Sequence, residues 1–200
     1  MGMLSFLVCF LCLVMNAQAR PISYGGGFTW MVMSDQQRDS FYYHYSPSHR
    51  YSLGVEHIKD KLFDETIACF RSTQLLNRKN TRHSQRNLYS QFGLSSEGFD
   101  RYFVGLRGDW ETRRWFAAFD LKRRQVGTSK DWDQSYKLGV APYLGDYGDL
   151  HTWCMVKARK LFLSEEWSFW PTIRLFKGDS LVECGYDGDD SWDIHFMYRL

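Results

Sequence analysis

The residues best placed to do chemistry lie in the stretch "HYSPSHRYSLGVE". His44 and Ser46 stand two apart, which on a strand puts both side chains on one face. If "SPSHR" turns the chain, Glu56 falls on the same face of the following strand. A serine, a histidine base and a carboxylate that orients the base are the parts of a nucleophilic hydrolase. The same three residue types also build an ordinary hydrogen-bonded network on a polar face, so the spacing leaves both readings open.

A second group of chemistry-bearing residues is dispersed. Arg107, Asp109, Asp120, Lys137, Lys157, Arg174, Glu183 and His195 recur at polar positions between apolar ones. Together with Glu56 they are expected to line an interior, where long cationic chains either pair with carboxylates and fill the space or border a channel. In "LKRRQVGTSKDWDQ", Lys122, Arg123, Arg124 and Lys130 form a basic cluster with the charge to attract phosphate. The stretch "HTWCM" offers His151, Cys154 and Met155, and Cys69, Cys184 and His195 lie elsewhere in the chain. Such soft ligands suit copper. On a strand, however, His151 and Cys154 point to opposite faces, and no zinc spacing occurs. No metal site and no cofactor are therefore expected.

The elements that would position these residues are strands. Apolar and polar residues alternate with period two in short runs separated by turn chemistry. The runs are 26–34, 40–46, 51–58, 65–76, 87–95, 101–110, 113–121, 135–143, 150–162, 167–176, 181–186 and 192–200. No internal repeat and no long amphipathic helical pattern interrupts them. Neighbouring runs can merge, so ten to twelve strands are expected in a single domain spanning residues 20–200.

Composition bears on which face is buried. Fifteen Phe, twelve Tyr and eight Trp make the chain 18% aromatic, more than one small core can hold. A second apolar surface, facing lipid or ligand, follows. Trp110, Trp115, Trp167, Trp170 and Trp192 fall near strand ends, where a membrane interface favours them. A sheet whose strands each pair with the next in sequence can close and leave no edge, as a bilayer requires. The expected fold is all-β: a closed antiparallel up-and-down transmembrane β-barrel. The rival is a soluble periplasmic barrel that holds an apolar ligand or a metal inside, since alternation also permits that.

At the start of the chain, an apolar run from Leu4 to Met15 precedes Ala17-Gln18-Ala19. This pattern predicts a cleaved signal peptide over residues 1–19, although no Lys or Arg precedes the run. The run is also shorter than the roughly 20 residues of a membrane-spanning helix. The formal net charge of +2 argues against a nucleic-acid partner. Three cysteines follow residue 19, so at most one disulfide can form within the chain.

The closing stretch "WDIHFMYRL" carries a family resemblance. It resembles the C-terminal assembly signal of Gram-negative outer-membrane β-barrels, a last strand with apolar or aromatic residues at alternate positions. Trp192, Ile194, Phe196, Tyr198 and Leu200 match it, with Leu200 where that family usually ends on Phe. The resemblance implies an outer-membrane protein read by the barrel-assembly machinery, with both termini in the periplasm. It also implies contact with outer-membrane lipid, and it would set the basic cluster of Lys122, Arg123, Arg124 and Lys130 beside lipopolysaccharide. The function so implied is structural, or a narrow passage for small polar solutes. The His-x-Ser spacing is similar to that of outer-membrane lipid A deacylases, which add a Glu on an adjoining strand. A lipid-modifying hydrolase using His44, Ser46 and Glu56 is thus the enzymatic alternative, although the register turns these groups away from lipid. "SPSHRYSLGVEH" and "GVAPYLGDYGDLHTW" resemble stretches of proteobacterial exported proteins, which implies no activity.

Overall fold

Each of the twelve alternating runs is a β-strand in the computed structural model, which describes residues 21–146, 148–188 and 191–200. The expected signal peptide lies outside the described residues. The strands are β1 (Gly27–Ser34), β2 (Arg38–Ser48), β3 (Tyr51–Asp60), β4 (Glu65–Asn80), β5 (Ser84–Ser95) and β6 (Arg101–Thr112), followed by β7 (Trp115–Val126), β8 (Ser129–Val140), β9 (His151–Lys160), β10 (Ser168–Lys177), β11 (Ser180–Tyr186) and β12 (Trp192–Arg199). Every strand pairs antiparallel with its neighbour in sequence, and β12 returns to pair with β1. The result is a closed twelve-strand antiparallel barrel, with no helix among the described residues.

The seam between β12 and β1 runs from Ser34↔Ile194 to Thr29↔Arg199 and extends to Leu200. Leu200 donates its N–H to the Phe28 carbonyl at 2.9 Å and accepts from the Phe28 N–H at 3.0 Å. Trp30 then faces Tyr198 and Val32 faces Phe196. Such a reciprocal pair leaves no strand edge with unpaired backbone groups.

With an even number of strands, the start of β1 and the end of β12 lie at one end of the barrel, the terminal end. That terminal end also holds the connections 49–50, 81–83, 113–114, 141–150 and 178–179, while the far end holds 35–37, 61–64, 96–100, 127–128, 161–167 and 187–191. Strands run further into the basic stretches than their polarity suggests. β4 and β5 reduce "NRKNTRHSQR" to a turn at 81–83, and β7 and β8 leave only residues 127–128 between them. Gly127 has φ of +58° there, a conformation glycine adopts without strain.

The alternation is apolar-out and polar-in. Val55, Val104, Leu138, Val156, Ile173, Val182 and Ile194 are exposed on the outer face, while Thr29, His44, Ser52, Glu56, Thr73, Gln91 and Arg159 are buried inside. This is the reverse of a soluble barrel, and it overturns the rival reading of an interior shaped for an apolar ligand. Two aromatic girdles bound the belt. Trp132, Trp167, Tyr186 and Trp192 ring the far end; Phe28, Tyr45, Tyr51, Trp110 and Trp115 ring the terminal end. Most strands have 8–12 residues, close to the roughly 9–11 that a tilted strand needs to cross a bilayer. One expected girdle residue is misplaced. Trp170 is fully buried inside, because it shares strand parity with Ser168 and Arg174, and its indole N–H donates to the Ser168 hydroxyl at 2.9 Å.

Candidate functional site

Register brings His44, Ser46 and Glu56 to one inner wall without joining them. Glu56 lies opposite Tyr42, and His44 opposite Gly54. A side chain at Gly54 would meet the Tyr43 carbonyl oxygen at 2.2 Å, so glycine is what lets the two strands and the imidazole pack. Glu56 accepts from Arg71 at 2.7 Å. The Ser46 hydroxyl accepts from the Ser23 backbone N–H at 3.0 Å. Neither ring nitrogen of His44 has a hydrogen-bond partner; its ring packs instead against Tyr42, 4.9 Å between centroids. A hydrolase needs the base bonded to the nucleophile and oriented by the carboxylate. Here the carboxylate is committed to a guanidinium and the serine to backbone.

The interior charges expected from the sequence converge on a different object, a network of shared carboxylates. Glu183 on β11 accepts from Arg174 at 2.7 Å and also from Lys137 on β8. Asp193 on β12 bonds Lys157, and accepts from Arg159 at 2.9 Å. Asp120 lies 3.3 Å from Lys122 and 3.9 Å from Arg107. His195 faces Glu183 in the register, and Asp109 accepts from the Asn87 side-chain amide at 2.7 Å. Each of these interior acids thus serves one or two donors. An unpaired charge inside a low-dielectric wall costs several kcal/mol, which is why the ions come in linked sets.

Sequence reading missed the second half of this network. Arg159 bridges Asp193 and Asp35, the latter at 3.0 Å, and Arg38 lies 3.9 Å from both Asp35 and Asp133. Period two could have found two of them, since Arg159 shares parity with Lys157, and Asp133 with Lys137. Asp35 sits in a connection, where alternation gives no signal. Its burial would push the carboxyl up, but Arg159 and Arg38 outweigh that and hold it well below the usual carboxylate range.

The network surrounds a central cavity of about 130 Å³. Eight cations line it, Arg38, Arg71, Arg107, Lys122, Lys137, Lys157, Arg159 and Arg174, against the five carboxylates of Asp35, Asp120, Asp133, Glu183 and Asp193. Glu56, behind Arg71, adds a sixth. The cavity is therefore net positive. Arg71 stacks 4.3 Å over Tyr42 and Arg174 4.1 Å over Phe116, so two guanidiniums rest on inward-facing rings at the edge of apolar clusters. At the terminal end the bore widens into a vestibule of about 740 Å³ between the 81–83, 113–114 and 141–150 connections. Pro21, Ile22 and Ser23 are buried against the β2–β3 wall, tied by Ser23 to Ser46 and by the Ser52 hydroxyl to the Pro21 carbonyl, and Pro21 lines the central cavity.

The far end is roofed. Phe162, from the 161–167 connection, is 1% exposed and turned into the barrel. Its carbonyl accepts from the Gln37 amide at 2.8 Å. Arg124 lies 4.8 Å over its ring and 3.5 Å from Asp60. The backbone N–H of Leu163 donates to Asp131 at 3.0 Å.

That geometry divides the expected basic cluster. Lys122 and Arg124 point into the barrel, to Asp120 and Asp60. Arg123 and Lys130 point outward. Strand continuity through the stretch is the reason: the four residues cannot share a face when alternate ones are turned inside. All three described cysteines are free. Cys154 and Cys184 both lie opposite Ile173, on either side of β10, roughly 10 Å apart and beyond disulfide reach.

No family model matches the chain, and no curated protein matches it. Among solved structures, the barrel is similar to a KdgM porin in complex with disordered oligogalacturonate, with a TM-score of 0.53 at 10% identity over 86% of this chain and 97% of that one. A second structure, from work on the in-meso crystallization of membrane proteins, overlays with a TM-score of 0.47 at 12% identity, covering 87% of this chain and 83% of that one. At such identity the likeness to the porin is one of fold: a closed antiparallel barrel of the membrane kind, apolar outside and polar within.

Proposed function

We propose that the protein is an integral outer-membrane barrel serving as a narrow passage for small polar solutes, with a preference for anions. The observation that carries this reading is the central cavity, where eight cations face five carboxylates across a bore walled by side chains with fixed partners. A field of one sign inside low-dielectric walls concentrates the opposite ion and repels its own. The wide vestibule lies on one side of the cavity and the Phe162 roof on the other, so the path is narrowest between the cavity and the roof. The KdgM porin of similar fold holds an oligogalacturonate, an acidic sugar chain, which accords with the reading at the level of charge. The closing strand, with Trp192, Ile194, Phe196, Tyr198 and Leu200 toward lipid, supports delivery by the barrel-assembly machinery.

The test is single-channel recording of the purified barrel in planar bilayers under a KCl gradient. Discrete conductance with a reversal potential toward the chloride equilibrium value is expected. Bilayers that stay silent at all voltages would remove the passage function and leave a structural barrel.

A further inference from the structure

We propose that Arg123, Lys130 and Lys160, grouped around Trp132 on the outer face, form a docking site for the phosphate groups of a lipid headgroup at the far end of the barrel. The placement follows from register. Arg123 on β7 stands opposite Trp132 on β8, and its guanidinium lies 5.6 Å over that ring. Lys130 is two residues from Trp132 on the same face, and Lys160 on β9 stands opposite Gln134, two residues the other way. Cross-strand neighbours are about 5 Å apart and next-but-one residues about 6.7 Å, so the three flexible arms can converge above the indole.

Charge supports the same assignment. None of the three cations has a carboxylate within ion-pair distance among the described residues, whereas outward Lys61 at the same end pairs with Asp39 at 2.7 Å. The acids of this strand pair are spent inside: Asp133 lies beside Arg38, and Asp131 accepts from Leu163. Glu165 and Glu166, exposed on the connection after Lys160, make no ion pair with the three. The group sits at the level of the Trp132–Trp167–Trp192 girdle, just beyond the outward-facing pair Tyr136 and Ala158. A headgroup phosphate meets the barrel at that height, with its acyl chains along the belt. A free anion in water has no reason to select a position beside lipid.

Native mass spectrometry of the detergent-purified full chain tests this, with a diphosphorylated lipid A-type glycolipid as probe and its dephosphorylated counterpart as control. The triple variant Arg123→Gln, Lys130→Gln, Lys160→Gln is expected to bind the phosphorylated probe at least tenfold more weakly. Lys79→Gln with Arg86→Gln, outward cations of the terminal end, should bind like the parent. Equal binding of both lipids by the parent, or undiminished binding by the triple variant, overturns the proposal. Displacement of the probe by an equal concentration of inorganic phosphate overturns it too, by making the site a free-anion site. Heat-modifiable gel migration reports folding of each variant; if the triple variant does not fold, Lys160→Gln alone must weaken binding about threefold. Silent bilayers leave this outcome untouched, because the site is on the outer wall.

Discussion

Glu56 is held by Arg71, 2.7 Å away across β3 and β4, and that pair decides what the wall around His44 is for. A carboxylate 1% exposed and bonded to a buried guanidinium stabilises the wall rather than orienting an imidazole. Glu56→Gln leaves Arg71 uncompensated, and breaking a buried pair in this way costs about 3–5 kcal/mol. The expected outcome is a lower heat-modification midpoint. Ser46→Ala and His44→Ala should leave the acylation pattern of lipid A in the host membrane unchanged by mass spectrometry. A changed acyl pattern in either would restore the hydrolase reading.

Phe162 is the removable part of the roof. Its ring carries Arg124 and its carbonyl is latched by Gln37. Phe162→Ala deletes the ring but keeps the carbonyl, and leaves the Arg124–Asp60 pair in place. Conductance per channel should rise about twofold or more, while anion preference persists because the cavity ions are untouched. An unchanged conductance would move the constriction away from this end.

Asp35 makes the roof sensitive to acid in a defined direction. Arg159 and Arg38 hold its carboxyl below the usual range despite burial. A depressed folded pKa contributes stability above the unfolded value of about 3.9 and loses it as pH falls toward the folded value. The parent should therefore be more stable than Asp35→Asn at pH 6, and the advantage should shrink progressively below about pH 4. Measured by heat-modification midpoint against pH, an advantage that stays constant from pH 6 to pH 3 would refute the coupling.

Much of this fold is legible in the sequence because one variable, side-chain parity, does two jobs. The parity that makes Phe41, Tyr43 and Tyr45 lipid-facing makes Tyr42, His44 and Ser46 interior. Arg107, Asp120, Lys137, Lys157, Arg174, Glu183 and His195 could be assigned inside from that rule alone. The rule fails where its premise does. Reading "LKRRQV" as a loop put Lys122 and Arg124 on the surface, although β7 runs through it. Near strand ends residue type misleads, so Trp170 was expected at an interface its parity forbids. Partners are set by three-dimensional packing, which no period encodes: Arg71 takes Glu56 from the preceding strand, and Gln37 reaches Phe162 across the mouth. The charge balance of the cavity depends on which side chains closure brings together, so its net positive charge emerges only from the closed barrel.

The last strand is where lipid contact and closure meet in the same residues. Phe196 faces Val32 and Val182 in the register and packs 5.1 Å from Trp30. Phe196→Arg places a cation near the middle of the apolar belt, where such a charge costs about 2–4 kcal/mol. Deleting Leu200 instead removes both bonds to Phe28 and shortens the seam between β1 and β12 by its last pair. The two changes act on different steps. The arginine should reduce the stability of barrels that still form, visible as a lower heat-modification midpoint. The deletion should reduce how many form, visible as loss of the folded band and of material in the outer-membrane fraction. Full recovery of Leu200-deleted protein in that fraction, with parental heat-modifiability, would mean that the seam closes without its last residue and that assembly is read elsewhere.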